Sequence, residues 1–259
     1  MLTAEQVASF ETFGFLFFRQ VFSREEMERI TCAAEEVWEK CLGHRAGEDE
    51  AVSMGTFIEG QPELERLAED PRVYDAAAHV MGSDLIWSGS EGNRGIRAGD
   101  DIHQWHADRE GEKELDYLRV KFMLYLDPMR KETGALRVIP GSHRMPLHED
   151  LASFRDRYDE DNPLFFGVEG PNVPCHAVET VPGDLLMFNQ SLYHAVYGKR
   201  DRRRRYIALK YAARPTTDAH IVSNKQWSPG IFEPNEAFLN SDRPRIRGLV
   251  EGLVELGRI

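Results

Sequence analysis

The sequence predicts a mainly-β chain with flanking helices, on three observations. From about residue 82 to 213, glycines and short alternating runs dominate, as in a many-stranded antiparallel sheet system. The clearest run, 117–126, puts Leu118, Val120, Phe122, Leu124 and Leu126 on one face and Tyr117, Arg119, Lys121, Met123 and Tyr125 on the other, because strand side chains alternate. Residues 1–81 carry helical spacing instead. A strand that is aliphatic on one side and aromatic and cationic on the other suits a barrel wall. Its second face lines a cavity or meets solvent.

The elements follow in order. Residues 3–12 read as a short helix behind a Thr3 cap, with Val7 and Phe10 on one face. Gly14 to Phe18 reads as a buried strand. Ser23 followed three residues later by Glu26 is a capping-box pattern. The helix behind it should run to about Lys40 with Met27, Ile30, Ala34 and Val37 inward. Residues 43–52 read as an exposed acidic loop, and 71–81 as a further helix. Residues 145–176 form a long acidic insertion. No internal repeat or Pro/Ser linker is visible. One domain is expected over 1–259, with 1–81 mostly helical, 82–213 the β core and 214–259 a C-terminal extension.

Composition excludes several classes. The chain has 259 residues, 32 basic against 44 acidic side chains and a formal charge of −12. A chain of this length buries roughly 70–75% of its unfolded surface and needs no disulfide to fold. Net acidity speaks against general nucleic-acid binding, which needs a basic face. No signal-peptide pattern and no apolar run long enough for a membrane span are visible. Cys32, Cys41 and Cys175 form no C-x-x-C pair, so a reduced, cytoplasmic protein is the expectation.

The densest set of potential metal ligands is His103-Gln104-Trp105-His106-Ala107-Asp108. In extended backbone His106 and Asp108 point to one side and can grip one ion, while His103 faces elsewhere. A distant ligand is offered by the segment from Pro182-Gly183-Asp184 to His194, read as a strand with His194 near its end. Two histidines and one carboxylate leave coordination sites open, which suits non-haem Fe(II) oxygenases. The H-E-x-x-H pattern, paired cysteines and the G-x-S-x-G elbow are all missing, which speaks against zinc and serine hydrolases.

Several ordered stretches together resemble the phytanoyl-CoA dioxygenase family of Fe(II)- and 2-oxoglutarate-dependent oxygenases. They are Leu2-Thr3-Ala4-Glu5-Gln6 with Gly14-Phe15-Leu16 and Phe22-Ser23, then His106-Ala107-Asp108, Gly134 to Arg144, the segment Pro182-Gly183-Asp184 with Phe188 and His194, and Arg205. The resemblance implies a double-stranded β-helix, also called a jelly roll, of cupin-like kind. It implies Fe(II) held by His106, Asp108 and His194, with 2-oxoglutarate and O2 as cosubstrates. It also implies that Arg205, eleven residues after His194, binds the distal carboxylate of 2-oxoglutarate. Arg205 is preferred because Ile207, Leu209 and Tyr211 follow on its face, whereas Arg204 shares a face with Tyr206 and Ala208; Arg203 is the fallback. Met123 is carried over as a cosubstrate contact. Lys121 and Arg119 share its face and can bind an anion or form a rim salt bridge.

Trp105, Asn93, Arg94 and Arg97 are candidate pocket-wall residues. Gly141-Ser142-His143 reads as a shaping turn, not a ligand. The intact Asp108 favours hydroxylation over halogenation, in which a small residue replaces the carboxylate. The expected reaction is hydroxylation of a small-molecule metabolite with release of succinate and CO2. Desaturation, ring closure or epimerisation with the same cofactors, and a non-catalytic metal-binding jelly roll, are the alternatives. Arg94, Arg97, Arg109, Arg119 and Lys121 cluster near the metal motif, which suggests an anionic substrate. Residues 145–176 and the part after Ser223 are candidate lids.

Overall fold

A computed structural model describes residues 2–47, 50–95, 99–100, 103–155, 164–200 and 203–258. Local sequence signals set its N-terminal elements. Helix α1 (Ala4–Phe13) starts at Thr3, whose side chain and Gln6 form a capping box, and stops at left-handed Gly14. Strand β1 (Phe15–Phe18) follows. Helix α2 (Arg24–Leu42) has the Ser23/Glu26 capping box and buries Met27, Ile30, Ala33, Ala34 and Trp38. Strand β2 (Val52–Gly55) and the short helix α3 (Pro62–Glu65) occupy a stretch that the periodicity left blank. Helix α4 (Pro71–Met81) is capped by Asp70 with proline in its first turn.

Strands β3 (Leu85–Arg94), β4 (Gly99–Asp100), β5 (His103–His106), β6 (Arg119–Tyr125) and β7 (Thr133–Val138) come next, with helix α5 (Glu112–Leu115) between β5 and β6. The insertion holds helix α6 (Leu147–Arg155) and a small hairpin of β8 (Leu164–Phe165) and β9 (Val168–Glu169). Strands β10 (His176–Val178), β11 (Leu185–Asn189), β12 (His194–Arg200) and β13 (Arg205–Ala213) complete the sheets. Helix α7 (Asp218–Trp227) and shorter helices end the described chain. The expected strand ending near His194 is therefore two strands. Residues Gln190–Tyr193 turn between them, and His194 is the first residue of β12.

The strands form two antiparallel sheets, one ordered β1-β11-β6-β13-β3-β2 and one ordered β10-β7-β12-β4, with β5 also on β12. The larger sheet divides the interior in two. Val120, Phe122, Leu124, Ile207, Leu209 and Tyr211 pack on the helices. Met123, Tyr125, Leu136, Val138, Phe188 and Ala208 fill the space between the sheets. This is the jelly roll, and the aliphatic face of β6 is its helix-facing side. A third cluster on the far side of the smaller sheet joins Trp105, Phe165, Tyr193 and Tyr197.

Three expected pocket residues are displaced by this division. In register, Arg205 stands opposite Arg94 and Tyr206 opposite Asn93, so Arg94 and Arg205 face the helices and Asn93 faces the cavity. Arg205 binds both oxygens of Asp127 and reaches Glu35 on α2 at 2.6 Å. Arg94, fully buried, holds the other Glu35 oxygen at 3.3 Å and the Glu50 carbonyl at 2.6 Å. The pair ties α2 to the sheet. Burial alone would lower the Arg205 pKa, but Asp127 and Glu35 hold it raised. Trp105 points opposite to His106 into the third cluster and donates its indole N–H to the Gly170 carbonyl at 2.9 Å. Arg97 lies outside the described residues.

Motif residues outside the centre shape the backbone. Asp184 accepts hydrogen bonds from the backbone N–H groups of Gln20 and Val181 and pairs with Arg19 at 3.0 Å. Ser142 Oγ accepts the Tyr193 N–H at 2.8 Å, fixing the backbone just before His194. His143 is a packing residue: its ring sits over Gly14, where an added Cβ would lie 2.5 Å from Nδ1 at φ +83°.

Removing the Arg205 side chain strands Asp127 and part of Glu35 in a half-buried place. Arg205→Ala should lower unfolding stability by about 3 kcal/mol, as for other broken buried pairs, measurable by urea denaturation. Arg205→Lys, which keeps the charge, should recover part of the loss.

Candidate metal centre

The centre forms where β5 meets β12. His106 and His194 are register partners with ring centroids 4.3 Å apart. Asp108, two residues beyond His106, brings Oδ1 to 3.9 Å from His106 Nε2 and 3.8 Å from His194 Nε2. One ligand atom from each residue lies within 4.8 Å of the others. Metal–ligand bonds of about 2.0–2.2 Å allow atoms on one ion to stand up to about 4.2 Å apart. A small contraction therefore closes the set around one cation.

The donor chemistry also fits. His106 Nδ1 is 2.6 Å from the Gln104 carbonyl and His194 Nδ1 is 2.9 Å from the Leu192 carbonyl. A carbonyl only accepts, so both Nδ1 atoms carry a proton, and each Nε2 is the ring atom left to face a metal. Burial pushes the His194 pKa down to about 3, with His106 nearby adding to the effect. The ring is neutral near pH 7, as a ligand must be. Phe188 closes one side, with its ring 5.1 Å from that of His194.

Burial would raise the Asp108 pKa, but Lys121 and the two histidines hold it well below the usual carboxylate range. Lys121 Nζ stands 3.3 Å from Asp108 Oδ2 and 3.4 Å from Glu91 Oε2. Glu91 in turn binds Lys210 Nζ at 2.8 Å. The two oxygens of Asp108 thus have separate partners: Oδ2 meets the ammonium and Oδ1 faces the imidazoles. Burial lowers the Lys121 pKa, but Asp108 and Glu91 outweigh it and keep the amine charged.

The remaining expected residues divide. Met123 is buried on the cavity face, and Asn93 is half-buried there opposite Tyr206. Lys121 reaches carboxylates of the protein itself, so it is a partner of the metal site and not an open anion receptor. Arg119 shares the face of Lys121 but is capped by Glu114, Ser223 and Asn224 beneath α7. Arg204, set aside above in favour of Arg205, stands on the side that faces the space between the sheets, with Tyr206 and Ala208. It is buried, donates to the Gly134 carbonyl at 3.2 Å and to Tyr125 Oη at 3.3 Å, and lies over the Tyr206 ring at 4.8 Å. The available signal was its shared face with Tyr206 and Ala208. That signal became readable only once Ala208 was known to pair with Met123.

Asp108 freed from Lys121 would no longer be held with Oδ1 toward the histidines. Lys121→Met should weaken metal binding about 10- to 100-fold, the usual cost of losing a residue that orients a ligand. Competitive titration with a chelating dye measures it. Removal of the metal from wild-type protein by chelator should leave the fold intact by circular dichroism, because three apolar clusters hold the sheets and helices together away from the ligand residues.

The chain is similar to several known proteins. The family described as phytanoyl-CoA dioxygenase (PhyH) matches residues 10–205. The ectoine dioxygenase of Bordetella bronchiseptica is 30% identical over 170 residues, covering 61% of this chain and 55% of that protein. The ectoine dioxygenase of Bordetella parapertussis is 28% identical over the same coverage. The chain thus spans about half the length of the curated relatives it matches. Among solved structures, HygX from Streptomyces hygroscopicus, with nickel and 2-oxoglutarate bound, superposes with a TM-score of 0.66 at 23% identity, over 82% of this chain and 88% of that one. EctD from S. alaskensis, with 2-oxoglutarate and 5-hydroxyectoine, gives 0.61 at 23% identity, over 82% and 76%. At that identity these two establish the fold.

Proposed function

This chain belongs to the phytanoyl-CoA dioxygenase family, and on that premise we propose that it is an Fe(II)- and 2-oxoglutarate-dependent oxygenase that hydroxylates a small-molecule metabolite, releasing succinate and CO2. The observation that carries the reading is the convergence of His106 Nε2, His194 Nε2 and Asp108 Oδ1. Two neutral imidazoles and one carboxylate are the donor set of non-haem iron oxygenases. When bound, Fe(II) together with 2-oxoglutarate supplies the activation of O2; the protein supplies position and dryness.

Arg204 is the residue we assign to the distal carboxylate of 2-oxoglutarate. It lies on the cavity face of β13's entry, flanked by Tyr125 and Tyr206. A guanidinium can grip a carboxylate with two parallel hydrogen bonds, which orients as well as attracts it. Arg205, one residue on, faces α2 and is occupied by Asp127 and Glu35. Met123 and Phe188 give the space between the sheets apolar walls that exclude water. Asn93 borders the same space. Lys121 keeps Asp108 ionised and oriented. An intact carboxylate at Asp108 supports oxygen insertion over halide transfer. Ectoine, named for the curated relatives, is the first compound to try as prime substrate.

Aerobic incubation with Fe(II) and 2-oxoglutarate against a metabolite panel should give succinate, and His106→Ala should abolish it. Arg204→Ala should raise the apparent KM for 2-oxoglutarate about 10- to 100-fold, the worth of a lost charged hydrogen-bond pair. Arg205→Ala should change that KM far less while lowering stability. Succinate formation unchanged in His106→Ala, or a KM rise carried by Arg205→Ala, would contradict the assignment.

A further inference from the structure

We propose that a cavity at the bulged end of β3 is a ligand pocket, and that it takes a small organic cation carried on a compact apolar frame.

The cavity holds about 330 Å³ and lies between β3, the Lys210 end of β13 and residues 227–235 of the C-terminal segment. That volume is at the small end of ligand pockets. Side-chain contacts link it to the candidate metal ligands, none of which lines it. Lys210, in its wall, reaches Asp108 through Glu91 and Lys121. Arg109, the neighbour of Asp108, donates to Ser228 Oγ at 2.6 Å and to the Trp227 carbonyl at 3.3 Å. Both of those residues line the cavity.

The backbone of β3 is shaped for it. Register shifts between Lys210 opposite Gly89 and Tyr211 opposite Trp87, so Ser88 is an extra residue outside the ladder. Gly89 sits at φ +110°, where a side chain would be strained. Ser88 is 7% exposed, lines the cavity, and its Oγ has no hydrogen-bond partner. A buried hydroxyl left unpaired costs stability, and a ligand hydrogen bond would satisfy it.

Charge selects the ligand. Glu59 lines the cavity half-buried and accepts from the Trp87 indole at 2.7 Å and from the Ser90 hydroxyl. No cation among the described residues lies within ion-pair distance of it. Glu233, exposed at the rim, has no ion pair among them either. Lys210, the cation in the wall, is matched by Glu91. The lining therefore carries unmatched negative charge. Trp87, Trp227, Ile231 and Pro234 supply apolar and aromatic surface, the Trp227 ring being shared with Arg109 at 5.6 Å.

Arg94, Arg109, Arg119 and Lys121, which suggested an anionic substrate, are not in the wall of this cavity. Arg94, Arg119 and Lys121 are paired with Glu35, Glu114 and Asp108. Arg109 directs its donors at carbonyls and Ser228 and is not in the cavity wall.

Tryptophan fluorescence of the metal-free full chain, titrated with cyclohexylamine, cyclohexanol and cyclohexanecarboxylate, tests the proposal. The amine should bind at least about tenfold more tightly than the alcohol, with the carboxylate weakest. Glu59→Gln and the exposed Glu233→Gln should each reduce that preference, and Ser88→Ala should weaken the binding of cyclohexanol. Equal or tighter binding of the alcohol or carboxylate, no saturable response to any probe, or an unchanged amine preference in both Glu→Gln variants would overturn it. His106→Ala should keep the amine preference while losing succinate formation. A wild-type protein that binds the amine but makes no succinate would sink the oxygenase reading and leave the pocket standing.

Discussion

The structure depends on one constraint, the two-residue alternation of side chains along β6 and β13. One parity packs on the helices and the other faces the space between the sheets. A slip of one residue would exchange every side chain between these environments. Phe122 and Leu124 would leave the helix layer, and Lys121 and Met123 would leave the cavity. The same alternation separates two adjacent arginines, placing Arg204 beside Tyr125 and Arg205 against α2. Position on the pleat, more than residue type, decides which of the two faces the helices.

The metal centre uses that frame to solve an electrostatic problem. Burying a carboxylate is costly unless it is paired. Asp108 is paired through Oδ2 with Lys121, and Lys121 is balanced by Glu91, which is balanced by Lys210. The row of alternating charges runs across three neighbouring strands and leaves Oδ1 facing the histidines. Backbone carbonyls at Gln104 and Leu192 then set both imidazole tautomers.

Much of this was legible from the sequence where the signal is local. The capping boxes at Thr3 and Ser23 mark helix starts because their bonds close within three residues. His106 and Asp108 read as one ligand pair because two residues is the period of a strand. What escaped depends on distant partners. The turn before His194 is pinned by Ser142, some fifty residues earlier, with |i−j| = 51 from Tyr193. The arginines gathered in sequence around the metal motif suggested an open cationic pocket. The carboxylate that pairs with Arg94, Glu35, is 59 residues away. The choice between Arg204 and Arg205 needed the pairing register with β6, which no single strand reveals. Helix α3 is four residues long, too short for periodicity to show.

The central claim is that His106, Asp108 and His194 hold one Fe(II) beside a site for 2-oxoglutarate. The most direct measurement is the anaerobic visible spectrum of the protein with Fe(II), before and after addition of 2-oxoglutarate. The account predicts a weak charge-transfer band that appears with the cosubstrate in the wild type and is lost in His194→Ala. Tight Fe(II) binding with no such band in the wild type, or a band that persists in His194→Ala, would contradict it.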